Sequence, residues 1–259
     1  IQEILFRYLI HWPWFVVSVI ICIACAWGYL RLATPVYNIS ATVLIKDDKK
    51  GGGASMSSEL EKMGLDGFVS SSNNVDNEIE VLKSKSLARE VVNNLGLFVT
   101  YKDEDEFPNR ELYRTSPVVV SLTPQEAEKL SAPMEVEMTL FPNGGMDVLI
   151  TVKDKEYRKQ FDQLPAVFPT DEGTVAFFES KNTLAVNQAK EESKERHIKA
   201  FINRPMSVAK GYIQSLSIAP TSKTTSVAVL SLKNSNTRRG RDFINKLLEM
   251  YNILSLIHI

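Results

Sequence analysis

The sequence predicts an α+β fold, in which a mixed β-sheet domain with packed helices follows one N-terminal transmembrane helix. Three observations predict it. Positions 8–30 carry no Asp, Glu, Lys or Arg, and as a helix they would span roughly 35 Å, more than a hydrocarbon core of about 30 Å. Strand-like alternation and hairpin signals follow, and the chain closes on an amphipathic helical pattern. The expected borders are 1–33 for an arm and membrane helix, 34–236 for the α+β domain and 237–259 for a last helix.

The anchor, Trp12–Leu32, has aromatic residues at both ends, as two membrane–water interfaces select. Cys22 and Cys25 lie inside it without stabilising charges nearby, so we interpret them as small packing residues rather than a redox or metal pair. Residues 24–26, Ala-Cys-Ala, formally fit a signal-peptidase site. The apolar core is longer than the roughly 7–15 residues of a signal peptide and continues past that site, which favours an uncleaved anchor.

Composition excludes one class of partner. The 259 residues include 30 Lys+Arg and 31 Asp+Glu, a formal net charge of -1. The chain lacks the excess of basic residues that is typical of nucleic-acid-binding proteins, so we do not expect nucleic acid to be a partner. Both cysteines belong to the anchor, so the rest of the chain is compatible with an oxidising compartment without disulfides.

The elements after the anchor follow from periodicity. Residues 35–46 alternate apolar and less apolar side chains, which predicts a strand directly after the anchor. Residues 47–75 lose periodicity and contain Gly, Ser and Asn runs, so we expect a flexible loop there. Residues 78–95 carry apolar side chains at roughly helical intervals, with a local shift near Ser84–Ser86, and Gly96 marks the end of that predicted helix.

The middle of the chain predicts short elements. Two alternating runs at 134–141 and 146–152 flank Pro142-Asn143-Gly144-Gly145, a strong hairpin signal. The charged stretch 154–161 is interpreted as a short polar helix or turn, and 190–196 as an exposed segment. The remaining predictions are strands at 118–122, 174–179, 197–203, 217–219 and 225–233, and short helices at 125–130 and 207–214.

The last predicted helix begins near Thr237. Phe243, Leu247, Tyr251 and Leu254 form one apolar stripe along it. The pattern is still helical where the sequence ends, so we expect 237–259 to be the truncated start of a longer helix.

No residue pattern predicts a catalytic residue, a cofactor site or a metal site. The three histidines lie far apart in sequence, and no pair has the spacing of metal ligands on a helix. Arg238, Arg239 and Arg241 open the last helix, where guanidinium groups could contact polysaccharide, lipid headgroups or a neighbouring subunit. The alternative is an ordinary solvated helix face.

Three stretches together resemble the chain-length determinant (Wzz) family of bacterial polysaccharide co-polymerases. They are the anchor with Pro35-x-Tyr37-x-x-x-Ala41-x-x-Leu44-Ile45, the stretch Asn77-Glu-Ile-Glu80-Val-Leu-Lys-Ser84 continuing to Leu97, and the region from Leu216-Ser-Ile-Ala-Pro220 to Arg239-Gly-Arg-Asp-Phe243 and Asn252. They cover both ends of the chain, and about 100–200 is less diagnostic. The Gly/Ser/Asn loop and the last block are most similar to large Bacteroides-type forms, which often belong to tyrosine autokinases of capsule or exopolysaccharide assembly.

The resemblance implies an inner-membrane anchor, a cytoplasmic N-terminal arm and a periplasmic domain. It also implies a ring-like homo-oligomer that works with a polysaccharide polymerase or an outer-membrane exporter. The function implied is scaffolding that regulates the chain length or export of a surface polysaccharide (O-antigen, capsule or exopolysaccharide). No enzyme activity and no cofactor are expected in this part of the protein, and whether the intact protein carries a cytoplasmic kinase domain stays open.

The sequence also departs from that family. Its members return to the membrane through a second helix beside a proline-rich motif, and the autokinase branch adds a Walker-type kinase domain and a tyrosine-rich tail. None of these follows Tyr251, so we expect the sequence to be an N-terminal fragment. Two alternatives stay open: the regulatory ectodomain of a bacterial tyrosine autokinase, and the ectodomain of a single-span membrane adaptor or sensor.

Overall fold

The computed structural model describes residues 12–33, 35–45, 75–105, 111–181, 195–222 and 226–257. They fall into two units, Ile1–Pro35 and Val36–Ile259. Helix α1 of the first unit spans Trp12–Leu32. The prediction of an α+β fold with one apolar N-terminal helix is confirmed.

The second unit is built from short strands and helices. The strands are β1 Tyr37–Leu44, β2 Val99–Asp103, β3 Val118–Ser121, β4 Met134–Leu140, β5 Met146–Val152, β6 Lys155–Phe161, β7 Ala166–Thr170, β8 Gly173–Glu179, β9 Arg196–Ile202, β10 Leu216–Pro220 and β11 Val227–Asn234. The helices are α2 at 75–82, α3 Lys85–Leu95, α4 Pro124–Lys129, α5 Pro205–Ser215 and α6 Thr237–Ile257.

Among the described residues, the strands form three antiparallel sheets. The first has the order β1-β11-β10, the second β2-β9-β4-β5-β6 and the third β3-β8-β7. Helices α5 and α6 contact the first sheet, and α3 contacts both of these helices. This first layer therefore brings the start and the end of the second unit together.

Alternation decides which face of the first sheet is buried. Ile39 and Ala41 of β1 lie opposite Leu232 and Leu230 of β11, and both leucines are fully buried. Phe243 of α6 is buried on the same core. The opposite face carries mostly small and polar side chains, together with Leu44, Val227 and Val229, and all of them are exposed or half-exposed. An apolar-in, polar-out pattern is typical of an antiparallel sheet with one solvated face.

The second and third sheets meet through aromatic side chains. Phe161 of β6 packs against Phe168 of β7 and Phe177 of β8, with ring centroids 6.0 Å and 6.1 Å away. Tyr101 of β2 reaches β3, where its hydroxyl accepts from the Val120 N–H at 2.8 Å and donates to the Val120 carbonyl at 3.3 Å. These contacts hold the edges of the two sheets against each other.

The prediction of a single helix over 78–95 is wrong, because the helix breaks after 82, next to the local shift in the apolar pattern near Ser84–Ser86. Ser84 has an extended backbone, and its hydroxyl accepts from the Leu87 N–H at 3.3 Å. It therefore caps a new helix, α3, in the manner of serine at an N-cap. The end of α3 agrees with the prediction, since Gly96 adopts the left-handed conformation with φ 64°.

The prediction of a polar helix or turn at 154–161 is also wrong. These residues form strand β6, paired with β5 from Met146–Phe161 to Val152–Lys155. Most β6 side chains are exposed on both faces, so the apolar alternation that would predict a strand is missing. The sequence also did not predict the short strands β2 and β7.

The other predicted elements are confirmed, with small differences at their ends. This holds for the strand after the anchor, the hairpin of β4 and β5, the two short helices and the last helix. The predicted loop at 47–75 lies outside the described residues except for Val75, which belongs to α2. Of the predicted exposed segment 190–196, only 195 and 196 are described.

Candidate functional site

The structure does not place the three predicted arginines on one surface. Arg238 and Arg241 are exposed on the first turns of α6. Neither forms an ion pair with another residue that the structure describes. Arg239 is only 8 % exposed and points into the second unit. The contact with polysaccharide, lipid or a neighbouring subunit stays a prediction, and Arg238 and Arg241 are the members placed where it could occur.

The Arg239 guanidinium is surrounded by acceptors from distant parts of the chain. It donates from Nε to Tyr212 Oη at 2.9 Å. It donates from Nη1 to Thr100 Oγ1 at 2.9 Å and to Glu111 Oε1 at 2.5 Å, and from Nη2 to the Leu97 carbonyl. One side chain therefore joins α6 to α5, to β2, to the end of α3 and to the segment beginning at 111.

The local sequence explains why Arg239 points inward. The Arg239 N–H donates to Asn236 Oδ1 at 3.1 Å, so Asn236 caps the start of α6. This cap fixes the helix start, and Arg239 then lies one turn before Phe243, on the buried stripe of α6. Gly240 allows the close approach, because a Cβ there would lie 2.3 Å from Ile39 Cδ1.

The electrostatics of the cluster favour a charged arginine and a neutral tyrosine. Burial alone would lower the pKa of Arg239, but the Tyr212 hydroxyl and the Glu111 carboxylate around it raise that pKa above its ordinary value. Burial also raises the pKa of Tyr212. The Tyr212 ring stacks on Phe243 with centroids 4.1 Å apart and 11° between the planes, which fixes the hydroxyl toward Arg239.

A second set of contacts reinforces this arrangement. Residues 111–114, which we call the strap, lie along the first turns of α6. Glu111 pairs with Arg239, and Tyr113 Oη donates to Asp242 Oδ2 at 2.9 Å. Arg114 Nη2 lies 3.3 Å from the same Asp242 oxygen. Further along α6, Tyr251 Oη donates to Glu78 of α2 at 2.7 Å.

Sequence reasoning identified Arg239 but missed its partners. Glu111 and Thr100 carry no local signal, because their contacts with Arg239 join residues far apart in the chain. One signal was available: Arg239 lies four residues before Phe243, the first member of the apolar stripe. A charged residue in register with a buried stripe is expected to be paired inside the protein.

The cluster is suited to holding elements together rather than to chemistry. Its donors and acceptors satisfy one another, which is the usual condition for a buried charge. Among the residues that the structure describes, no group of three His, Cys, Asp or Glu side chains could hold a metal ion.

The first unit supplies the other functional feature. Trp12–Arg31 of α1 is long and apolar enough to cross a membrane, and none of it is buried inside the protein. Cys22 and Cys25 are free thiols on this helix. Arg31 is the basic residue of its last turn.

The comparison with known families concerns the N-terminal part of the chain. The family model described as Wzz, chain length determinant protein, matches residues 1–95. The match spans α1, β1, α2 and α3, and over these residues it confirms the resemblance drawn from the sequence. The description of that model concerns the determination of chain length, and the matched residues include α1, a candidate membrane span by its length and composition. No curated protein matches the chain.

Proposed function

Because residues 1–95 match the chain length determinant family, we propose that the protein is a membrane-anchored periplasmic scaffold that regulates the chain length or export of a surface polysaccharide. The family match is the observation that carries the proposal. Helix α1 supports it, since its length and composition suit a membrane span. In this proposal the N-terminal arm is cytoplasmic, α1 crosses the inner membrane and the second unit lies in the periplasm.

The scaffold acts as a ring-like homo-oligomer beside a polysaccharide polymerase or an outer-membrane exporter, and it catalyses no reaction itself. Such a role needs surfaces held in a fixed geometry. The Arg239 cluster supports this requirement, because it ties α6 to α5, β2 and the strap. Arg238 and Arg241 then present two fixed cations on the outside of the same helix.

Deletion of the gene tests the function. We expect the surface polysaccharide of the deletion strain to change its length distribution or its exported amount, and a plasmid copy to restore both. Gel electrophoresis of the isolated polysaccharide gives the length distribution, and sugar analysis of the cell surface gives the amount. Unchanged length and amount after deletion would contradict the proposal.

The two exposed arginines give a finer test. The double variant Arg238→Gln, Arg241→Gln should shift the polymer length without lowering the melting temperature, since both side chains are exposed. Lys210→Gln, which removes an exposed cation from α5, is the matched control and should leave the length unchanged. Equal effects of the two changes would remove any special role for the start of α6.

Labelling in intact cells tests the orientation. In a background with Cys22→Ser and Cys25→Ser, a cysteine at the exposed Ser217 should react with a membrane-impermeant maleimide once the outer membrane is permeabilised. A cysteine at Ala209, which is fully buried, controls for nonspecific labelling. Protection of position 217 until the inner membrane is broken would place the domain in the cytoplasm.

A further inference from the structure

Strand β1 forms one edge of the first sheet, and Tyr37–Leu44 contain neither a charge nor a proline. One hydrogen bond shows which residues of β1 turn their backbone groups toward β11: the Ile45 N–H donates to the Ser226 carbonyl at 2.8 Å. Residues in an antiparallel pair alternate between bonding to the partner strand and pointing away from it. The even-numbered residues of β1 therefore point their N–H and C=O groups away from β11. They are Asn38, Ser40, Thr42 and Leu44.

The opposite edge of the same sheet, β10, lacks most of these donors. The Thr221 N–H donates to the Val227 carbonyl at 2.8 Å, so by the same alternation Leu216, Ile218 and Pro220 point outward. The Leu216 N–H is already used by the Ile213 carbonyl at the end of α5, and Pro220 has no N–H. The β10 edge therefore offers three carbonyl acceptors and a single free donor.

Two edges of the other sheets are closed by side chains or by the backbone. At β3, the Tyr101 hydroxyl bonds to both the N–H and the carbonyl of Val120. At β2, Glu111 forms a bridge with Lys102, and the Leu112 N–H donates to the Tyr101 carbonyl at 3.0 Å.

The remaining two edges carry residues that discourage strand addition. Strand β6 exposes Lys155, Arg158 and Lys159, and β7 contains Pro169. Charged side chains and proline are the usual protection of an exposed edge. Among the described sheet edges, β1 alone combines several outward donors with an uncharged sequence.

We propose that the β1 edge of one copy pairs in parallel with the β10 edge of a second copy. The inference rests on the proposed homo-oligomeric scaffold and names the surface that joins its subunits. Ser40 aligns with Ser217 of the second copy, and Thr42 aligns with its Ala219. In this register the outward N–H groups of β1 meet the carbonyls of β10, and exposed side chains stay on the exposed face.

Several features favour a second copy as the occupant. Both edges are uncharged, so no like charges meet across the contact. The outward N–H groups of β1 match the carbonyls of β10, and the Ser40 carbonyl can accept from the Ile218 N–H. Two β10 edges, by contrast, cannot satisfy each other. Since β1 and β10 both run antiparallel to β11, they run parallel to each other, and the first sheet can continue from copy to copy. Such a head-to-tail contact generates a ring when the rotation closes.

A disulfide between copies tests the register. In a background with Cys22→Ser and Cys25→Ser, the double variant Thr42→Cys, Ala219→Cys should cross-link in membranes under mild oxidation. Within one chain these positions are separated by β11 at Val229, a distance of roughly 10 Å. This exceeds the roughly 7 Å limit for a disulfide, so any bond forms between copies. We expect a ladder of dimers, trimers and larger species on a non-reducing gel.

The matched control is Asn38→Cys, Ala219→Cys. It uses the same two strands and the same exposed face, but position 38 lies four residues, roughly 13 Å, from the proposed alignment. It should give at least tenfold less cross-linking. Equal cross-linking of the two variants, no cross-linking, or a product that stops at the dimer would each overturn the proposal.

A proline gives an independent measurement. Thr42→Pro removes an outward N–H and leaves the hydrogen bonds from β1 to β11 in place. It should lower the size of the detergent-solubilised assembly while circular dichroism stays unchanged, and an assembly of unchanged size would overturn the proposal. The function is judged separately: a ladder without any effect of gene deletion on the polysaccharide rejects only the function, and a deletion effect without a ladder rejects only this interface.

Discussion

Arg239 and Lys199 each gather several oxygen atoms, but one does so inside the second unit and the other on an open sheet face. Arg239 is buried between helices and contacts a carboxylate, two hydroxyls and a carbonyl. Lys199 lies on β9 among three carboxylates, Glu135, Glu137 at 2.8 Å and Glu104 at 3.9 Å, with its side chain partly exposed.

The two clusters differ in how far water and salt can compensate for the loss of an ion-pair partner. The carboxylates around Lys199 are 35 % to 44 % exposed. Water can therefore solvate them when Lys199 is lost, and salt screens the attraction, so these pairs contribute less. Around Arg239, removal of the buried cation leaves the half-buried Glu111 carboxylate and the Leu97 carbonyl without their donor, which is strongly unfavourable. The number of partners is therefore a poor guide to stability, and burial decides.

The largest expected effect comes from Arg239→Met. Loss of the buried cation should lower the free energy of unfolding by about 3 kcal/mol, because the half-buried Glu111 carboxylate and the Leu97 carbonyl lose their donor. Thermal unfolding of the full chain in detergent, followed by circular dichroism, measures it.

Arg238→Met provides the control for this change, since it removes an arginine from the preceding position of the same helix, where the side chain is exposed. Its effect should stay within about 0.5 kcal/mol. If the two variants melt at the same temperature, the buried cluster does not stabilise the fold. Glu111→Gln added to Arg239→Met should recover part of the loss.

The next largest effect is expected at Gly240, where the backbone of α6 lies close to Ile39 of β1. Gly240→Ala places a methyl group against Ile39, and we expect it to cost about 1–2 kcal/mol in unfolding free energy. Gly211→Ala on α5 meets nothing within 4 Å and should instead stabilise by about 0.5–1 kcal/mol through helix propensity. Opposite signs in urea unfolding would confirm the close contact, and two stabilising changes would refute it.

Tyr113→Phe tests the strap and should cost about 1 kcal/mol near neutral pH, the usual contribution of one hydrogen bond. Burial, followed by the hydrogen bond to Asp242, raises the pKa of Tyr113 from 10.0 to about 12. Because the folded-state pKa is the higher one, this stability is present below pH 10 and is lost as pH rises through about 12. Unfolding curves between pH 9 and 12 should therefore converge for the two proteins, and a constant gap would argue against the assignment.

The smallest effect is expected from Lys199→Met. It should lower the free energy of unfolding by about 1 kcal/mol, less than Arg239→Met, and the change should shrink when salt is raised, since the partly exposed carboxylates are screened. Parallel melts at low and high sodium chloride measure both. A loss comparable to that of Arg239→Met would show that burial does not separate the two clusters.

The same contrast explains what could be predicted from the sequence. The first sheet and α6 were predictable because their buried faces repeat every two residues in Ile39, Ala41 and Val43, and at helical spacing in Phe243 and Leu247. The β4–β5 hairpin was predictable because its turn residues are specific.

What failed depends on contacts that no local pattern records. Strand β6 is polar on both faces, so only its pairing with β5 defines it. The break before α3 depends on a serine side chain that turns back to cap the helix. For the candidate site, the sequence identified three arginines, and the register of Arg239 with Phe243 was the signal that separates it from its exposed neighbours. The partners of Arg239 could not be predicted, because that requires knowing which distant segments cover α6.

The Arg239 contacts also determine the order in which the domain can be completed during synthesis. Arg239 reaches partners 128 to 142 residues earlier in the chain, at Glu111, Thr100 and Leu97. Contacts of such long separation form slowly, because the intervening chain must first lose its freedom. Residues 1–95, which resemble a chain length determinant, therefore leave the ribosome long before Arg239 has been synthesised. During that interval the Leu97 carbonyl and the Glu111 carboxylate lack their Arg239 donor, so these contacts cannot form until α6 has been synthesised.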